Sequence, residues 1–215
     1  MVKMLTFVKR RAGLERQEFL DYWRGEHTAL IKQLPGLRRH CNNVSLVIGG
    51  REPRIDLVGE AWFDDPEPLL AAYAAPAGQA LAESLARVAD AEQTQSVMVS
   101  ERVIIPPPVA GSFVKNFATV YRRPDLSLED FDRYWRENHP KVVNYLPGLR
   151  GYIQCPAVRV PGYIPPLDGC AMVWFDDLDA LRAASHGEHM KIVRADERMF
   201  IVQERMARVV TTPDQ

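Results

Sequence analysis

Two stretches of the chain decide how its fold is interpreted. Residues 19–39 read FLDYWRGEHTALIKQLPGLRR, and residues 131–151 read FDRYWRENHPKVVNYLPGLRG. Ten of these 21 positions are identical at a constant offset of 112 residues. Similarity at a fixed spacing marks a structural unit that occurs more than once in a chain. The sequence therefore predicts a tandem duplication.

The same offset aligns residues beyond the repeated stretch. Residues 56–65 and 168–177 both begin with aspartate and end with WFDD. Near the end of each half, however, the Arg-Val dipeptide at 102–103 best matches the one at 208–209, which is an offset of 106. This shift predicts a six-residue deletion in the second copy, where residues 72–90 of the first copy correspond to residues 184–196.

The junction between the copies reads PPPVAGS. Consecutive prolines keep a segment extended and stiff, so they suit a short connector. We predict repeat 1 at residues 1–105, a proline-rich linker at residues 106–112 and repeat 2 at residues 113–215.

Composition excludes several classes of protein. Apolar residues make up 47% and charged residues 26% of the 215 positions, and the formal net charge is −1. A disordered chain is less apolar, and a nucleic-acid-binding chain has a basic surplus. The longest uncharged run, residues 68–82, is shorter than the roughly 20 apolar residues of a membrane-spanning helix. We expect neither a nucleic-acid partner nor a membrane partner.

The cysteines and the N-terminal residues indicate the compartment. Cys41, Cys155 and Cys170 have no metal-ligand spacing, and an odd number favours reduced thiols over a disulfide framework. No uninterrupted apolar segment with a cleavage site follows the first basic residues, so no secretory signal is predicted. We expect a cytoplasmic protein.

Each copy has the same predicted order of elements, β-α-β-β-α-β, which is that of a ferredoxin-like unit. Such a unit carries both helices on one face of its sheet, and the bare faces of two units can bury each other. The predicted fold class is therefore α+β, with two tandem ferredoxin-like units. Strands are predicted at residues 4–9, 37–48, 56–63 and 94–105 and at residues 112–121, 149–160, 168–175 and 199–210, with helices at residues 19–34, 69–88, 131–146 and 178–193.

The segments YWRxxH and LPGLR occur in both copies, and through them the chain resembles the EthD family of dimeric α/β-barrel proteins. The resemblance implies an intramolecular dimeric α/β barrel, in which the fused copies form an internal pseudo-dimer. Whether that pseudo-dimer forms a further homodimer is left open. The matching residues are Tyr22, Trp23, His27, Leu34, Pro35, Gly36, Leu37 and Arg38, then Tyr134, Trp135, His139, Leu146, Pro147, Gly148, Leu149 and Arg150.

A later element of the family, an acidic pair followed by an aromatic residue, is present in the second copy as Asp196, Glu197 and Phe200. The first copy matches it only loosely, with Asp90 and Glu92 and no aromatic residue. Relatives in the superfamily include cofactor-free monooxygenases, isomerases, cyclases and dehydratases that act on small apolar or aromatic molecules. EthD itself is associated with ether breakdown beside an oxygenase system. The resemblance thus implies a small apolar ligand and no cofactor, without fixing a reaction.

His27 and His139 are the leading candidates for catalysis. Both lie in phase with the apolar face of their helices and should point toward the sheet. A histidine there can transfer a proton near neutral pH, although a core histidine bonded to a backbone carbonyl is the other interpretation. Pro140 removes a helix hydrogen bond and disfavours the α conformation before it. We therefore expect a break at His139 that leaves room for a ligand, and no break at Thr28 in the first copy.

Other polar residues near these histidines are further catalytic candidates. The hydroxyls of Tyr22 and Tyr134 can bond a substrate oxygen or face solvent. Asp196 can orient His139 or act as an acid, or it can cap a helix. His186 and His189, near a helix end, lack further ligands, so no metal site is predicted. Predicted substrate-binding residues, with core packing as the other interpretation, are Trp135, Trp23, Trp174, Trp62, Tyr152 and His40.

Two functional hypotheses remain open at this point. In the first, a histidine transfers a proton on an apolar, aromatic or polyketide-like substrate in a dehydration, an isomerisation or a cofactor-independent oxidation. In the second, the chain is a non-catalytic accessory protein that holds an apolar metabolite for a partner oxygenase. A variant of the first hypothesis has one active half, which would be the second copy because of Pro140 and the element from Asp196 to Phe200.

Overall fold

A computed structural model describes residues 1–214, which fall into two units. Unit 1 comprises Met1–Ser100 and Val158–Pro166, together with Pro213 and Asp214. Unit 2 comprises Glu101–Ala157 and Leu167–Thr212. The repeat bounds 1–105 and 113–215 describe copies in the sequence and stay a prediction.

Unit 1 has a four-stranded antiparallel sheet in the order β4-β1-β3-β2. Its first helix has three parts, of which the middle one is a π-helical turn at Trp23–His27. The elements are β1 Val2–Val8, α1 Arg16–Tyr22, the π-helical turn, α2 Thr28–Ile31, β2 Arg39–Ser45, β3 Leu57–Phe63, α3 Pro66–Ala74, α4 Pro76–Val88 and β4 Gln95–Ser100.

Unit 2 has strands in the order β9-β6-β8-β7-β5, again antiparallel. The elements are β5 Arg102–Ile105, β6 Val114–Val120, α5 Leu128–Glu137, α6 Pro140–Val143, β7 Gly151–Pro156, β8 Gly169–Phe175, α7 Leu178–His186, α8 Glu188–Glu197, a short 3-10 helix at Gln203–Arg205 and β9 Arg208–Pro213.

The predicted β-α-β-β-α-β order is confirmed in both copies, although several of the predicted elements are divided or shortened. The predicted strand 94–105 is two strands, because β5 pairs with β7 while β4 pairs with β1. The predicted strand 199–210 starts only at Arg208, after the 3-10 helix. Each predicted second helix is divided in two, in the first copy at Ala75, whose extended ψ of 165° fits a residue before proline.

The predicted six-residue deletion was wrong. Thr6 pairs with Ser96 in unit 1, and Ala118 pairs with Arg208 in unit 2. Both pairs are related by the offset of 112, as are α3 and α7. The offset therefore holds through the last strand, and the match of two Arg-Val dipeptides was a coincidence of a very short motif.

The edge of the unit 1 sheet is covered by the segment Val158–Pro166. Val158 N–H donates to the Met98 carbonyl at 2.9 Å, and Met98 N–H donates to the Tyr163 hydroxyl at 2.8 Å. The unpaired backbone groups of an exposed edge strand can pair with other chains, so this segment shields β4 from such pairing.

The helices cover one face of each sheet through buried aromatic residues. Phe19 and Trp23 in unit 1, and Phe131 and Trp135 in unit 2, are at most 3% exposed. Spacing by four residues places each pair on one helical face, as the sequence predicts. This packing holds the histidine one turn further on between helix and sheet.

Replacing Gly169 with alanine is expected to destabilise the protein by about 1–3 kcal/mol, the usual cost of overpacking. A Cβ there would lie 2.7 Å from the Cys155 carbonyl oxygen and from two ring atoms of Trp135. Urea denaturation measures the effect. Gly25→Ala is the control, because a Cβ at Gly25 has no neighbour within 4 Å and alanine favours a helix. Equal stability of both variants would contradict the packing described here.

Candidate active site

In unit 1, His27 is the centre of a small hydrogen-bond network. The imidazole is buried at the end of the π-helical turn, and its Nδ1 lies 2.9 Å from Ser84 Oγ on α4. The same Oγ lies 2.8 Å from the Tyr22 hydroxyl. Within residues 1–214, Nε2 of His27 has no hydrogen-bond partner. The ring is therefore oriented by one nitrogen and has the other available to a ligand.

The helix is irregular at the histidine in both copies. In unit 2, α5 ends at Glu137 and α6 begins at Pro140, so the predicted break at His139 is confirmed. The backbone of His139 nevertheless stays helical, with φ −57° and ψ −37°. The first copy has no break at Thr28, as predicted, but the π-helical turn at Trp23–His27 makes its helix irregular just before that residue. Single π-helical turns occur often at functional sites.

In unit 2, an aspartate occupies the place of Ser84. His139 Nδ1 lies 2.6 Å from Asp196 Oδ2, and the Tyr134 hydroxyl donates to Asp196 Oδ1 at 2.8 Å. Burial alone would raise the pKa of Asp196, but the hydrogen bonds from His139 and Tyr134 outweigh it and lower the pKa. Burial and this carboxylate raise the pKa of Tyr134 to about 12. The ionised carboxylate therefore holds the proton of His139 on Nδ1.

Burial has a strong effect on His27, because Ser84 supplies no charge that would stabilise an imidazolium. Desolvation lowers the pKa of His27 from 6.5 to about 4. The imidazole is therefore neutral near pH 7, which is the form in which a ring nitrogen can accept a proton.

The same shift makes the free energy of unfolding depend on pH. Between pH 6.5 and about 4 the unfolded chain binds a proton at His27 that the folded chain does not bind. The neutral His27 therefore makes its full contribution to the free energy of unfolding above pH 6.5. That free energy falls by roughly 3 kcal/mol as the pH drops to 4. Urea unfolding should show a shallower fall for His27→Gln, whereas His186→Gln, at an exposed position, should behave as the wild type. An unchanged slope in His27→Gln would contradict a buried neutral imidazole.

A cavity of about 230 Å³ lies beside His27. Its wall includes small residues from the sheet and from α4, where unit 2 has larger ones at the offset of 112. Tyr73 also lines it, and within residues 1–214 the Tyr73 hydroxyl has no hydrogen-bond partner. Burial raises the pKa of this phenol, so it stays protonated and can donate. Further lining residues are Trp23, Gly59, Ala61, Gly78, Leu81 and Ala82.

Next to His139 in unit 2, larger side chains stand at several of the corresponding positions. Ala171, Val173 and Met190 stand where unit 1 has Gly59, Ala61 and Gly78, and they pack with Tyr152 into a hydrophobic cluster. The ring of His139 lies 4.9 Å from that of Phe200 and 6.5 Å from that of Tyr152. The apolar cavity lies beside His27, in the copy without Pro140, and a ligand space at the break beside His139 stays a prediction.

The structure distributes the predicted binding residues over both faces of the sheet. Trp23 lines the cavity, and the buried Trp135 occupies the corresponding place. Trp62 pairs directly with Lys3, whose Nζ lies 5.0 Å from its ring. Alternation along β3 places Trp62 on the face opposite Ala61 and the cavity, and Trp174 corresponds to it beside Lys115. His40 is half-buried on β2 and does not line the cavity.

The two histidines near the end of α7 have backbone partners. His186 Nδ1 lies 2.8 Å from the Arg182 carbonyl oxygen, and His189 Nε2 lies 2.7 Å from that of Val142. The part of the chain that the structure describes holds no group of three or more metal-ligating side chains. Across the same residues, no helix has both the length and the apolar character needed to cross a bilayer.

Two residues of the site were missed in the sequence. Ser84 is related to Asp196 by the offset of 112, and the wrongly placed deletion hid this relation. Tyr73 gave no such signal, because Ser185 stands at its place in the second copy and the helix around it is mostly alanine and leucine.

Solved structures share the fold over the whole chain. An anthrone oxidase-like protein has a TM-score of 0.74 at 10% identity and covers 100% of this chain and 91% of its own. A proposed monooxygenase from Lactobacillus acidophilus NCFM has a TM-score of 0.57 at 13% identity, and the match covers 100% of this chain and 94% of that protein. A mutant chlorite dismutase from Candidatus Nitrospira defluvii has a TM-score of 0.55 at 10% identity, and the match covers 100% of this chain and 90% of that protein. The class is therefore α+β, with the fold of dimeric α/β-barrel proteins.

A family comparison gives the assignment at the level of sequence. The EthD domain model matches residues 11–92 and again residues 123–204. The chain belongs to the EthD family, with two domains in tandem, and the predicted resemblance is confirmed. No curated protein matches the chain.

Proposed function

We propose that the chain is an enzyme that transfers a proton on a small apolar carbonyl compound in the cavity beside His27. The observation that carries this proposal is a neutral, buried imidazole in the wall of an apolar cavity, with Nδ1 held by Ser84 and Nε2 unpaired. A proton-transferring residue must be within reach of the substrate and in the correct protonation state. The place of His27 in the cavity wall and its lowered pKa support both requirements.

Tyr73 supplies the second group that such a reaction needs. When Nδ1–H of His27 donates to Ser84, Nε2 carries a lone pair and accepts a proton from a carbon that is next to the substrate carbonyl or conjugated with it across a ring. The electron pair of that C–H bond moves to the carbonyl oxygen, and the Tyr73 hydroxyl stabilises the resulting enolate by a hydrogen bond. The proton can return at another carbon, which is an isomerisation, or the enolate can expel hydroxide, which is a dehydration.

Oxidation without a cofactor is a third outcome of the same first step. The name of the anthrone oxidase-like neighbour supports anthrone as a test compound. Anthrone carries an acidic methylene group opposite its carbonyl and is otherwise apolar. Its enolate reacts with dioxygen to give anthraquinone and water, so one molecule of each reactant is consumed and no other oxidant is needed.

The test separates proton transfer from oxidation. Without oxygen, in deuterium oxide, the wild-type protein should accelerate deuterium uptake at the anthrone methylene group, followed by mass spectrometry. Ala82→Trp should abolish this acceleration, because Ala82 lines the cavity and is exposed. Ala86→Trp, on an exposed turn of α4 outside the lining, is the matched control.

The result also decides between catalysis and storage. Anthrone binding that Ala82→Trp blocks, without accelerated deuterium uptake, would identify a non-catalytic carrier and contradict the proposal. Equal uptake in wild type and Ala82→Trp would place the reaction outside this cavity.

A further inference from the structure

Unit 2 contains a second cavity whose chemistry differs from that beside His27. It also has a volume of about 230 Å³ and lies between the sheet and the helices α7 and α8. Several of its lining positions are related to those of the first cavity by the offset of 112, but the residues are polar or basic. Met4, Tyr73, Ala82 and Ser96 of unit 1 are replaced by Asn116, Ser185, Arg194 and Arg208.

Two arginines give this cavity a positive rim. Arg194 is exposed on α8, and its guanidinium has no hydrogen-bond partner among residues 1–214. Arg208 is held by Glu197, whose two carboxylate oxygens lie 2.9 and 3.1 Å from one guanidinium nitrogen. Glu197 neutralises one of these two charges, so one positive charge remains at the rim.

The inner wall carries an unsatisfied polar atom. Asn116 is 8% exposed, and its side-chain oxygen has no partner within residues 1–214. Buried polar atoms are nearly always hydrogen-bonded, so an unpaired acceptor in a cavity wall indicates a place for a ligand donor. Met4, at the corresponding position of unit 1, has an apolar side chain that needs no hydrogen-bond donor.

The remaining lining is apolar except for His186, whose Nδ1 lies 2.8 Å from the Arg182 carbonyl oxygen. Leu146, Val173, Phe175 and Leu181 contribute to the wall below the arginines. A ligand that satisfies all three features has an apolar body, an anionic head for the rim and a hydrogen-bond donor for the wall. Guanidinium groups match the planar, two-oxygen geometry of a carboxylate.

We propose that this cavity binds a small amphiphilic carboxylate. The carboxylate contacts Arg194 and Arg208, the apolar body lies against Phe175 and Leu181, and a hydroxyl donates to Asn116. Because the site lies in unit 2 and uses neither His27 nor Tyr73, it is independent of the proposed enzymatic function.

Calorimetric titration with benzoate, para-hydroxybenzoate, hexanoate and para-hydroxybenzamide tests the site. Para-hydroxybenzoate should bind most tightly, and the neutral amide should bind at least about tenfold more weakly, since it loses the charge-assisted hydrogen bonds. Arg194→Ala, which introduces the residue of unit 1, should weaken para-hydroxybenzoate about tenfold or more. Asn116→Met should remove the preference for para-hydroxybenzoate over benzoate.

Controls locate the binding. Ala82→Trp fills the first cavity and should leave para-hydroxybenzoate affinity unchanged. Failure of all three carboxylates to bind at millimolar concentration would overturn the proposal, as would equal affinity for wild type and Arg194→Ala. Inorganic phosphate binding as tightly as para-hydroxybenzoate would also overturn it, because the apolar wall would then contribute nothing.

Discussion

Replacing His27 with glutamine is expected to lower enzyme-accelerated deuterium uptake into anthrone by about 10²–10⁴-fold, the usual contribution of a positioned acid or base. Glutamine preserves much of the volume and a hydrogen-bonding group toward Ser84, but it cannot accept the proton. Binding of anthraquinone, which has no methylene proton, should change little. The loss would therefore appear in the rate constant rather than in ligand affinity.

His139→Gln is the matched control for this variant. It removes an imidazole at the corresponding position of unit 2, where Phe200 and Tyr152 surround the ring. We expect uptake within about twofold of the wild type, a change of under ~0.5 kcal/mol in transition-state stabilisation, since His139 does not line the cavity beside His27. A large loss of deuterium uptake in His139→Gln, with unchanged uptake in His27→Gln, would show that the reaction takes place in the second copy.

The pH profile gives an independent readout of the same residue. Because burial lowers the pKa of His27 to about 4, kcat/KM for uptake should be constant near neutrality and should fall only as the pH approaches 4. A fall centred near pH 6.5, the ordinary histidine value, would show that the reacting imidazole is not desolvated.

Replacing Asp56 with alanine is expected to cost about 3–5 kcal/mol of stability, the typical loss when one partner of a buried ion pair is removed. Its fully buried carboxylate accepts the Arg10 N–H at 3.0 Å and lies near the side chains of Arg10, Arg16 and Lys9. Removing it leaves three cations close together without their shared anion. Arg16 opens α1, so Asp56 also fixes the helix that carries Tyr22 to the sheet.

The second copy again provides a matched control. Asp168 corresponds to Asp56 and accepts the Arg122 N–H at 2.8 Å, but its side chain is 18% exposed and lies 4.0 Å from Arg122 Nε. Asp168→Ala should therefore destabilise the protein less than Asp56→Ala, as measured by urea denaturation. Equal losses would show that the cluster of cations around Asp56 contributes little.

The fold could be predicted from the sequence because the duplication repeats its strongest signals. The helical spacing of Phe19, Trp23 and His27 recurs 112 residues later, and LPGLR ends both helices. A single segment often shows a helical spacing of apolar residues by chance. The same spacing at corresponding positions of two copies is much less common. The division of the helix at Pro76 and of the last strand at Glu101 was missed, because long apolar runs obscure short breaks.

The location of the cavity could not be predicted, since it depends on side-chain volumes that only the fold brings together. Gly59 and Ala61 lie on β3, whereas Gly78 lies on α4 and His27 at the end of the π-helical turn, and nothing in their local sequence patterns indicates that they surround one space. Pro140 marked an irregular helix correctly, yet the cavity with the neutral imidazole lies beside His27, while the rings of Phe200 and Tyr152 pack near His139. A helix break therefore indicates where the backbone is irregular, whereas the volume of the surrounding side chains decides where a ligand fits.

The most direct test is a crystal structure of the protein with anthraquinone bound. Ring density should fill the cavity of unit 1, with one carbonyl oxygen within hydrogen-bond distance of the Tyr73 hydroxyl and the opposite ring carbon facing Nε2 of His27. Anthraquinone beside His139 with the cavity at His27 unoccupied would contradict the account.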